Sequence, residues 1–212
     1  MSQHHAMIVG SNGFSYSVAN ECTFGKRLKE YKDDYKKISC VAVGPSNYFA
    51  VVTSEGAAWY CGPANFKEKM GDIKCSEIKQ ISFGPEDQWV IVMKSGWCHA
   101  SLWSTKTDCL KTLNEHNGKV AYASLCENAS DWIVGYGRNG YVAGGGLCDK
   151  LTSFLDGLNS ARDIIHLVEV GRDNRYFVQH GEGKNAFKWS LESTPSDFFE
   201  ETEHPFTSLS LW

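Results

Sequence analysis

Four short polar segments of the chain each place an Asp or Asn within two residues of an aromatic side chain. The pairs are Asn47 with Phe49, Asp87 with Trp89, Asp131 with Trp132, and Asn174 with Tyr176. A carboxylate or amide can hydrogen-bond to sugar hydroxyls, while an aromatic ring covers the apolar face of a pyranose. These eight residues are therefore candidate ligand-binding residues, and the chemistry that they indicate is carbohydrate recognition.

A structural explanation for the same pairs stays open. Asp and Asn are common turn formers because their side chains bond to the nearby backbone and because they tolerate left-handed conformations. An aromatic residue at the start of a strand often fills the space between neighbouring sheets. Further tryptophans lie on or beside the third strands of the repeat described below, and we expect them to pack between sheets as well: Trp59, Trp97, Trp103 and Trp189.

Motifs typical of enzymes are missing from this sequence or stand in the wrong context. Residues 135–140 fit the GxGxxG pattern, but a dinucleotide-binding loop must leave a strand and open a helix. Here the pattern leads into the strand-like run 141–144, which favours a plain β-turn. Cys98 and His99 are adjacent, so in a strand their side chains point to opposite faces. The sequence predicts a protein that is not an enzyme, with no cofactor, catalytic residue or metal site.

The candidate segments recur with a repeat of about 42 residues. Each repeat reads as an opening strand, a polar turn, an aromatic-led middle strand, a glycine turn and a third strand. The aligned glycines lie at positions 13, 56, 96, 140 and 183, which gives spacings of 43, 40, 44 and 43 residues. Five such units account for residues 1–212 as a single all-β domain. We expect a closed five-bladed β-propeller-like ring, in which the polar turns share one rim.

A polar stretch with a few apolar residues at helical spacing follows each third strand. The predicted third strands are residues 57–61, 97–102, 141–144 and 184–189. The apolar residues after them are Phe66 and Met70, Leu110 and Leu113, Phe154, Leu155 and Leu158, and Phe198 and Phe199. We expect short helical turns between the sheets, with an outer strand as the alternative.

The two ends of the chain carry complementary parts of one repeat. Residues 6–9 align with a middle strand and residues 14–18 with a third strand, so the first repeat lacks its opening strand. Residues 206–212 alternate apolar and polar as an opening strand does. Pairing between the two ends would remove the exposed sheet edges of an open array. The alternative is an open solenoid, which needs polar caps at its ends.

The segments Val41–Gly44, Thr53–Gly56 and Trp59–Gly62 resemble the repeat of the regulator of chromosome condensation family. In that family a V-A-x-G strand, an L-T-x-x-G segment and an aromatic x-W-G strand recur in β-propeller blades. The resemblance implies a propeller, but the family's blades are longer and seven in number, so no functional residue is transferred. Five-bladed lectins of the tachylectin type are similar in blade count and chain size, which is a likeness of architecture alone.

Composition narrows the classes of partner. The formal net charge of −4 and the isoelectric point near 6.0 do not supply the basic field that binds nucleic acid. The densest basic stretch, Lys26–Lys37, is interrupted by acidic residues and indicates the solvated face of a short helix. No run approaches the roughly 18 apolar residues of a membrane span. The eight cysteines lack a CxxC spacing, and with no signal-like leader they favour reduced thiols and a cytoplasmic location.

Two functions remain compatible with the sequence. The first is a lectin without catalytic activity, multivalent for a glycan or glycoconjugate through repeated rim sites. The second is a protein–protein interaction platform, either a propeller scaffold or the small-GTPase-directed regulator that the family resemblance implies.

Overall fold

The structure is a computed structural model that describes residues 6–10, 13–17, 37–103, 107–126, 130–171, 175–183, 186–190 and 206–211. The predicted helix over residues 26–37 lies outside the described residues except for Lys37. Asn174, Phe198 and Phe199 also lie outside them.

The described part of the chain folds into five antiparallel sheets of three strands each. The terminal sheet contains β15 (Phe206–Leu211), β1 (Ala6–Gly10) and β2 (Gly13–Ser17). The other strands are β3 (Ile38–Val43), β4 (Phe49–Thr53) and β5 (Ala58–Cys61) in the second sheet; β6 (Ile78–Phe83), β7 (Trp89–Met93) and β8 (Cys98–Ser101) in the third; β9 (Val120–Leu125), β10 (Trp132–Tyr136) and β11 (Gly140–Gly144) in the fourth; and β12 (Ile165–Val170), β13 (Tyr176–His180) and β14 (Ala186–Ser190) in the fifth. The repeated order of opening, middle and third strand is confirmed.

The terminal sheet joins the two ends of the chain. Strand β15 pairs antiparallel with β1, in a register that places Leu211 opposite Ala6 and Phe206 opposite Gly10. Strand β1 pairs antiparallel on its other side with β2, with Gly10 opposite Gly13. The predicted pairing of the C-terminal segment with residues 6–18 is therefore confirmed, and β15 serves as the opening strand of the first repeat.

Three helices follow the third strands of the second, third and fourth sheets. They are α1 (Ala64–Asp72), α2 (Thr107–Glu115) and α3 (Asp149–Ser160). Each helix buries apolar residues at helical spacing, as Phe66 and Met70 in α1 and Leu151 and Leu155 in α3 show. This periodicity explains why the segments are helical, and the alternative of an outer strand is wrong for all three.

From the second sheet to the fifth, successive sheets pack face to face, with a helix inserted between their outer parts. Phe66 of α1 lies between the second and third sheets, with its ring centroid 4.8 Å from that of Phe83 and 5.6 Å from that of Trp89. Leu113 of α2 occupies the same place between the third and fourth sheets, and Leu155 of α3 between the fourth and fifth. The middle strands β4, β7, β10 and β13 are consequently covered on both faces, and most of their residues are apolar and buried.

The turns confirm the repeat in four sheets, with one correction. The residue after each opening strand donates its backbone N–H to the carbonyl of the residue before the middle strand, as from Gly44 to Tyr48 at 2.9 Å and from Gly84 to Gln88 at 2.8 Å. In the hairpin after β10, the left-handed glycine is Gly137, with φ of 62°, and the expected turn residue Gly140 begins β11 instead. The GxGxxG segment is thus a turn between antiparallel strands, as predicted.

Candidate functional site

The polar turns of the second and third sheets have an unusual backbone. Ser46 and Asn47 have φ values of 55° and 60°, and the aligned Glu86 and Asp87 have values of 55° and 63°. Asn and Asp tolerate the left-handed region better than other residues with side chains. The left-handed backbone therefore explains why Asn or Asp stands at the aligned positions 47 and 87. Both side chains are exposed to solvent.

The four aromatic residues that were candidate sugar platforms are core residues in this structure. Their side chains are at most 6% exposed: Phe49, Trp89, Trp132 and Tyr176. Each begins a middle strand, and the neighbouring sheets cover both faces of that strand. The rings therefore offer no open face to a ligand, which corrects the expectation that they would stack on a sugar.

Hydrogen bonding and ring packing hold Trp89 and Tyr176 in the core. The indole Nε1 of Trp89 donates to Asn65 Oδ1 at 3.1 Å. Tyr176 packs in the cluster between the fourth and fifth sheets. Burial, together with the nearby Cys148, raises the pKa of the Tyr176 hydroxyl above its usual value.

Asp131 differs from the other two described polar candidates because its carboxylate is buried. Its Oδ1 accepts hydrogen bonds from the backbone N–H of Gly146 at 2.7 Å and from Ser130 Oγ at 2.9 Å. These bonds tie the turn before β10 to the loop after β11. The Asp131 carboxylate consequently holds this turn in place, and its assignment as a ligand-binding residue stays a prediction.

Two tryptophans of the third sheet are exposed, contrary to the expectation that they pack between sheets. Trp97 precedes β8 and is 58% exposed, whereas Trp103 follows β8 and is 57% exposed. They lie at opposite ends of the strand: the Trp97 indole lies beside Gly118, and Trp103 Nε1 donates to the backbone carbonyl of Glu86 at 2.5 Å. Trp189 of the fifth sheet is also exposed.

Trp103 belongs to a group of five residues that we call the rim cluster: Tyr48, Asn65, Asp87, Ser101 and Trp103. The Tyr48 hydroxyl donates to Asp87 Oδ1 at 2.5 Å, which joins the turns of the second and third sheets. Asn65 Nδ2 donates to Ser101 Oγ at 2.8 Å, which joins the start of α1 to the end of β8. The cluster thus lies between two adjacent sheets, at the end where their opening strands finish.

The electrostatics of the rim cluster favour fixed hydrogen-bonding roles. The bond to Asp87, with a smaller contribution from burial, raises the pKa of the Tyr48 hydroxyl to about 12. Tyr48 is therefore a neutral donor across the physiological pH range. On the same strand as Ser101, burial and the neighbouring Lys69 lower the pKa of His99, so its imidazole is neutral at pH 7.

The region beside the rim cluster does not form a nucleophilic centre. Burial raises the pKa of the Cys98 thiol to about 11, and its Sγ lies 3.7 Å from the backbone carbonyl of Leu113. The His99 side chain points to the opposite face of β8 from Cys98, and it lies near Lys69 of α1. A thiol of this kind is protonated and inert at neutral pH.

The described residues contain no group of three or more His, Cys, Asp or Glu side chains that could hold a metal ion. No helix among them is both long enough and apolar enough to cross a membrane. No family model matches the chain.

Sequence reasoning identified Asp87 but missed its neighbours in the cluster. Tyr48, Asn65 and the pair Ser101 and Trp103 come from three different segments, and only the packing of the second sheet against the third brings them together. One signal was present in the sequence, because Trp103 is a large apolar residue at the start of a polar stretch, where nothing in the repeat pattern needs one.

Proposed function

We propose that the chain is a carbohydrate-binding protein without catalytic activity, and that it binds a glycan at the rim cluster. The observation that carries this proposal is the exposed indole of Trp103 next to the exposed turn that contains Asp87. A solvent-exposed aromatic face beside fixed polar groups is the combination that recognises a pyranose.

The cluster's contacts assign a role to each group. The bond from Trp103 Nε1 to Glu86 fixes the orientation of the ring, so that little conformational entropy is lost when a sugar stacks on it. The Asp87 carboxylate accepts hydrogen bonds from sugar hydroxyls, and Tyr48 holds it in place. The Ser101 hydroxyl accepts from Asn65 and can donate its own proton to a ligand.

The third strands of the other sheets lack a residue equivalent to Trp103, which lowers the expected number of glycan sites. The position of Trp103, two residues after the end of the third strand, is Pro63 in the second sheet, Gly146 in the fourth, Glu192 in the fifth and Ala19 in the terminal sheet. None of these residues offers an aromatic face. We therefore propose one glycan site, between the second and third sheets, in place of repeated multivalent sites.

We propose that the five sheets form a closed five-bladed ring. The opening strands support this arrangement, because β15 contacts β3, β3 contacts β6, β6 contacts β9, β9 contacts β12, and β12 contacts β15. Such a ring leaves no opening strand at an open end. The resemblance to the repeat of the regulator of chromosome condensation family agrees with a propeller and adds no functional residue.

The two exposed tryptophans that flank β8 provide a matched test of the glycan site. A glycan array identifies the best ligand, and titration calorimetry then compares wild type with Trp103→Ala and Trp97→Ala. We expect Trp103→Ala to weaken binding at least about tenfold, or about 1.4 kcal/mol, and Asp87→Asn to weaken it as well. Trp97→Ala should bind within about twofold of wild type because its ring lies at the other end of β8.

Thermal melts of the same variants provide the control for folding. Both tryptophans are more than half exposed, so their truncation should lower Tm by only about 2–3 °C. An array without a bound glycan, or equal affinity of Trp103→Ala and wild type, would rule out the proposed site.

The exposure of Trp97 favours protein recognition as a second candidate function. Large exposed aromatic residues are enriched at protein interfaces. A protein partner bound in a stoichiometric complex that is lost in Trp97→Ala but kept in Trp103→Ala would support this alternative.

A further inference from the structure

A single carboxyl group lies at the centre of the contacts between three opening strands. Glu169 of β12 is only 3% exposed. Its Oε1 lies 2.6 Å from Gln80 Nε2 of β6, and its Oε2 lies 2.8 Å from Ser124 Oγ of β9. The strands that these residues connect belong to three different sheets, so the carboxyl group ties them together through side chains alone.

The partners of Glu169 also bond to backbone groups of the next opening strand. Gln80 Oε1 accepts the N–H of Ala123 at 3.0 Å, and Ser124 Oγ accepts the N–H of Val170 at 3.0 Å. A third bond of this kind runs from the N–H of Leu125 to Ser82 Oγ at 2.9 Å, and neither of its two groups is hydrogen-bonded to the Glu169 carboxyl group. Opening strands do not pair in one sheet, so these side chains satisfy N–H groups that would otherwise be buried without a partner.

We propose that the protonation of Glu169 controls the contacts between three opening strands. Its neutral carboxyl group holds β6, β9 and β12 together, and its ionised form loosens their contacts. An ionised carboxylate in a buried site loses its hydration, and opening the contacts to water restores that hydration. Two neutral donors cannot fully replace water around a full charge. In the neutral acid, the carboxyl O–H can donate to Ser124 Oγ while the other oxygen accepts from Gln80 Nε2.

No charged partner for Glu169 exists among the described residues. The opening strands contain two other groups that can carry a positive charge, and both are engaged elsewhere: Lys79 Nζ donates to the Ala121 carbonyl, and His166 Nε2 lies 2.7 Å from the Gly181 carbonyl. Strand β15 contains no ionisable side chain in its sequence. Burial therefore dominates and raises the pKa of Glu169 to about 8, although the bonds to Ser124 and Gln80 oppose the rise.

The direction of the pH effect follows from this pKa. The state in which β6, β9 and β12 are in contact binds the proton of Glu169 more tightly than an open, hydrated state does. The contacts between these strands are therefore strongest below the usual pKa of glutamate. The contacts weaken as pH rises toward 8, and the equilibrium constant for their opening should increase by up to about tenfold per pH unit. Above pH 8 the constant should level off, because both states are then ionised.

Native-state hydrogen exchange measures this opening at individual amides. The exchange rates of Ala123 and Val170 in wild type are divided by those in Glu169→Gln, which keeps the shape and cannot ionise. We expect this ratio to rise on the order of a hundredfold between pH 5 and pH 8 and then to level off. The amide of Thr53, which donates to the Ala57 carbonyl at 2.8 Å within the second sheet, serves as the internal reference. Its ratio should change by less than about threefold, because this bond involves none of β6, β9 and β12.

Two further measurements keep the proposal testable. Glu182→Gln removes the same charge from an exposed site, and it should leave the exchange ratios unchanged. A carbon-13 titration of the Glu169 carboxyl group in wild type needs no variant and should show a midpoint well above 4.5. A ratio that does not vary with pH, an equal rise at all three amides, or a midpoint near 4.5 would each overturn the proposal.

Discussion

Trp89 provides the clearest test between a core role and a ligand-binding role for the aromatic residues that begin the middle strands. Its side chain is buried, contacts Phe66 and bonds to Asn65. Replacing a buried tryptophan with alanine costs about 3–5 kcal/mol through lost burial and the cavity that remains. Loss of the bond to Asn65 adds at most about 1 kcal/mol, since Asn65 is exposed to solvent and water can replace the indole.

Urea unfolding followed by far-UV circular dichroism measures this loss for Trp89→Ala. Circular dichroism is preferable to fluorescence because the chain has seven tryptophans. Trp89→Phe keeps most of the packing and should lose only about 1–2 kcal/mol. Trp103→Ala, the exposed counterpart, should change stability by less than about 1 kcal/mol.

The two roles predict opposite patterns of stability and binding. A core residue loses stability first, and any effect on glycan binding follows the fraction of folded protein. If Trp89→Ala remained within 1 kcal/mol of wild type and yet lost glycan binding, the ring would be a ligand contact, and the packing described between the second and third sheets would be refuted.

Three other changes test separate features of the fold. Deletion of residues 206–212 removes the opening strand of the terminal sheet and should abolish the cooperative unfolding transition; an unchanged Tm would contradict the role of β15. Glu86→Gly should raise stability by about 1 kcal/mol, because glycine adopts a φ of 55° without the cost borne by a side chain, and Ser95→Gly is a control at an ordinary backbone position, where glycine should not stabilise. Thiol titration of denatured, unreduced protein should find close to eight free groups, in line with the seven free thiols of the described residues; four or fewer would indicate disulfides.

The repeat and its strands could be predicted because their signals are local. An apolar run, a polar turn and a glycine recur in order, and the three helices show their own periodicity at Phe66 and Met70 or Leu155 and Leu158. The pairing of the chain ends followed from a missing opening strand in the first repeat, which is a matter of counting elements. None of these inferences needed to know how one sheet lies on the next.

The candidate site was harder to predict because it depends on the packing of sheets. An aromatic residue after a polar turn has the same sequence context whether its strand is covered on one face or on both, so the burial of Trp89 and Trp132 carried no local signal. The bond between Tyr48 and Asp87 joins residues of different repeats. Glu169 likewise stands in an opening strand with no sequence feature that marks its carboxyl group as buried.

The terminal sheet has a consequence for the order in which the protein can fold during synthesis. Strand β1 leaves the ribosome long before its partner β15, because all the other described strands lie between Ala6–Gly10 and Phe206–Leu211 in the chain. Until β15 emerges, one edge of β1 consequently has unsatisfied backbone groups that can pair with another nascent chain. Chaperones that bind extended segments, or slow pairing of β1 with β2, would protect this edge until Phe206–Leu211 emerges.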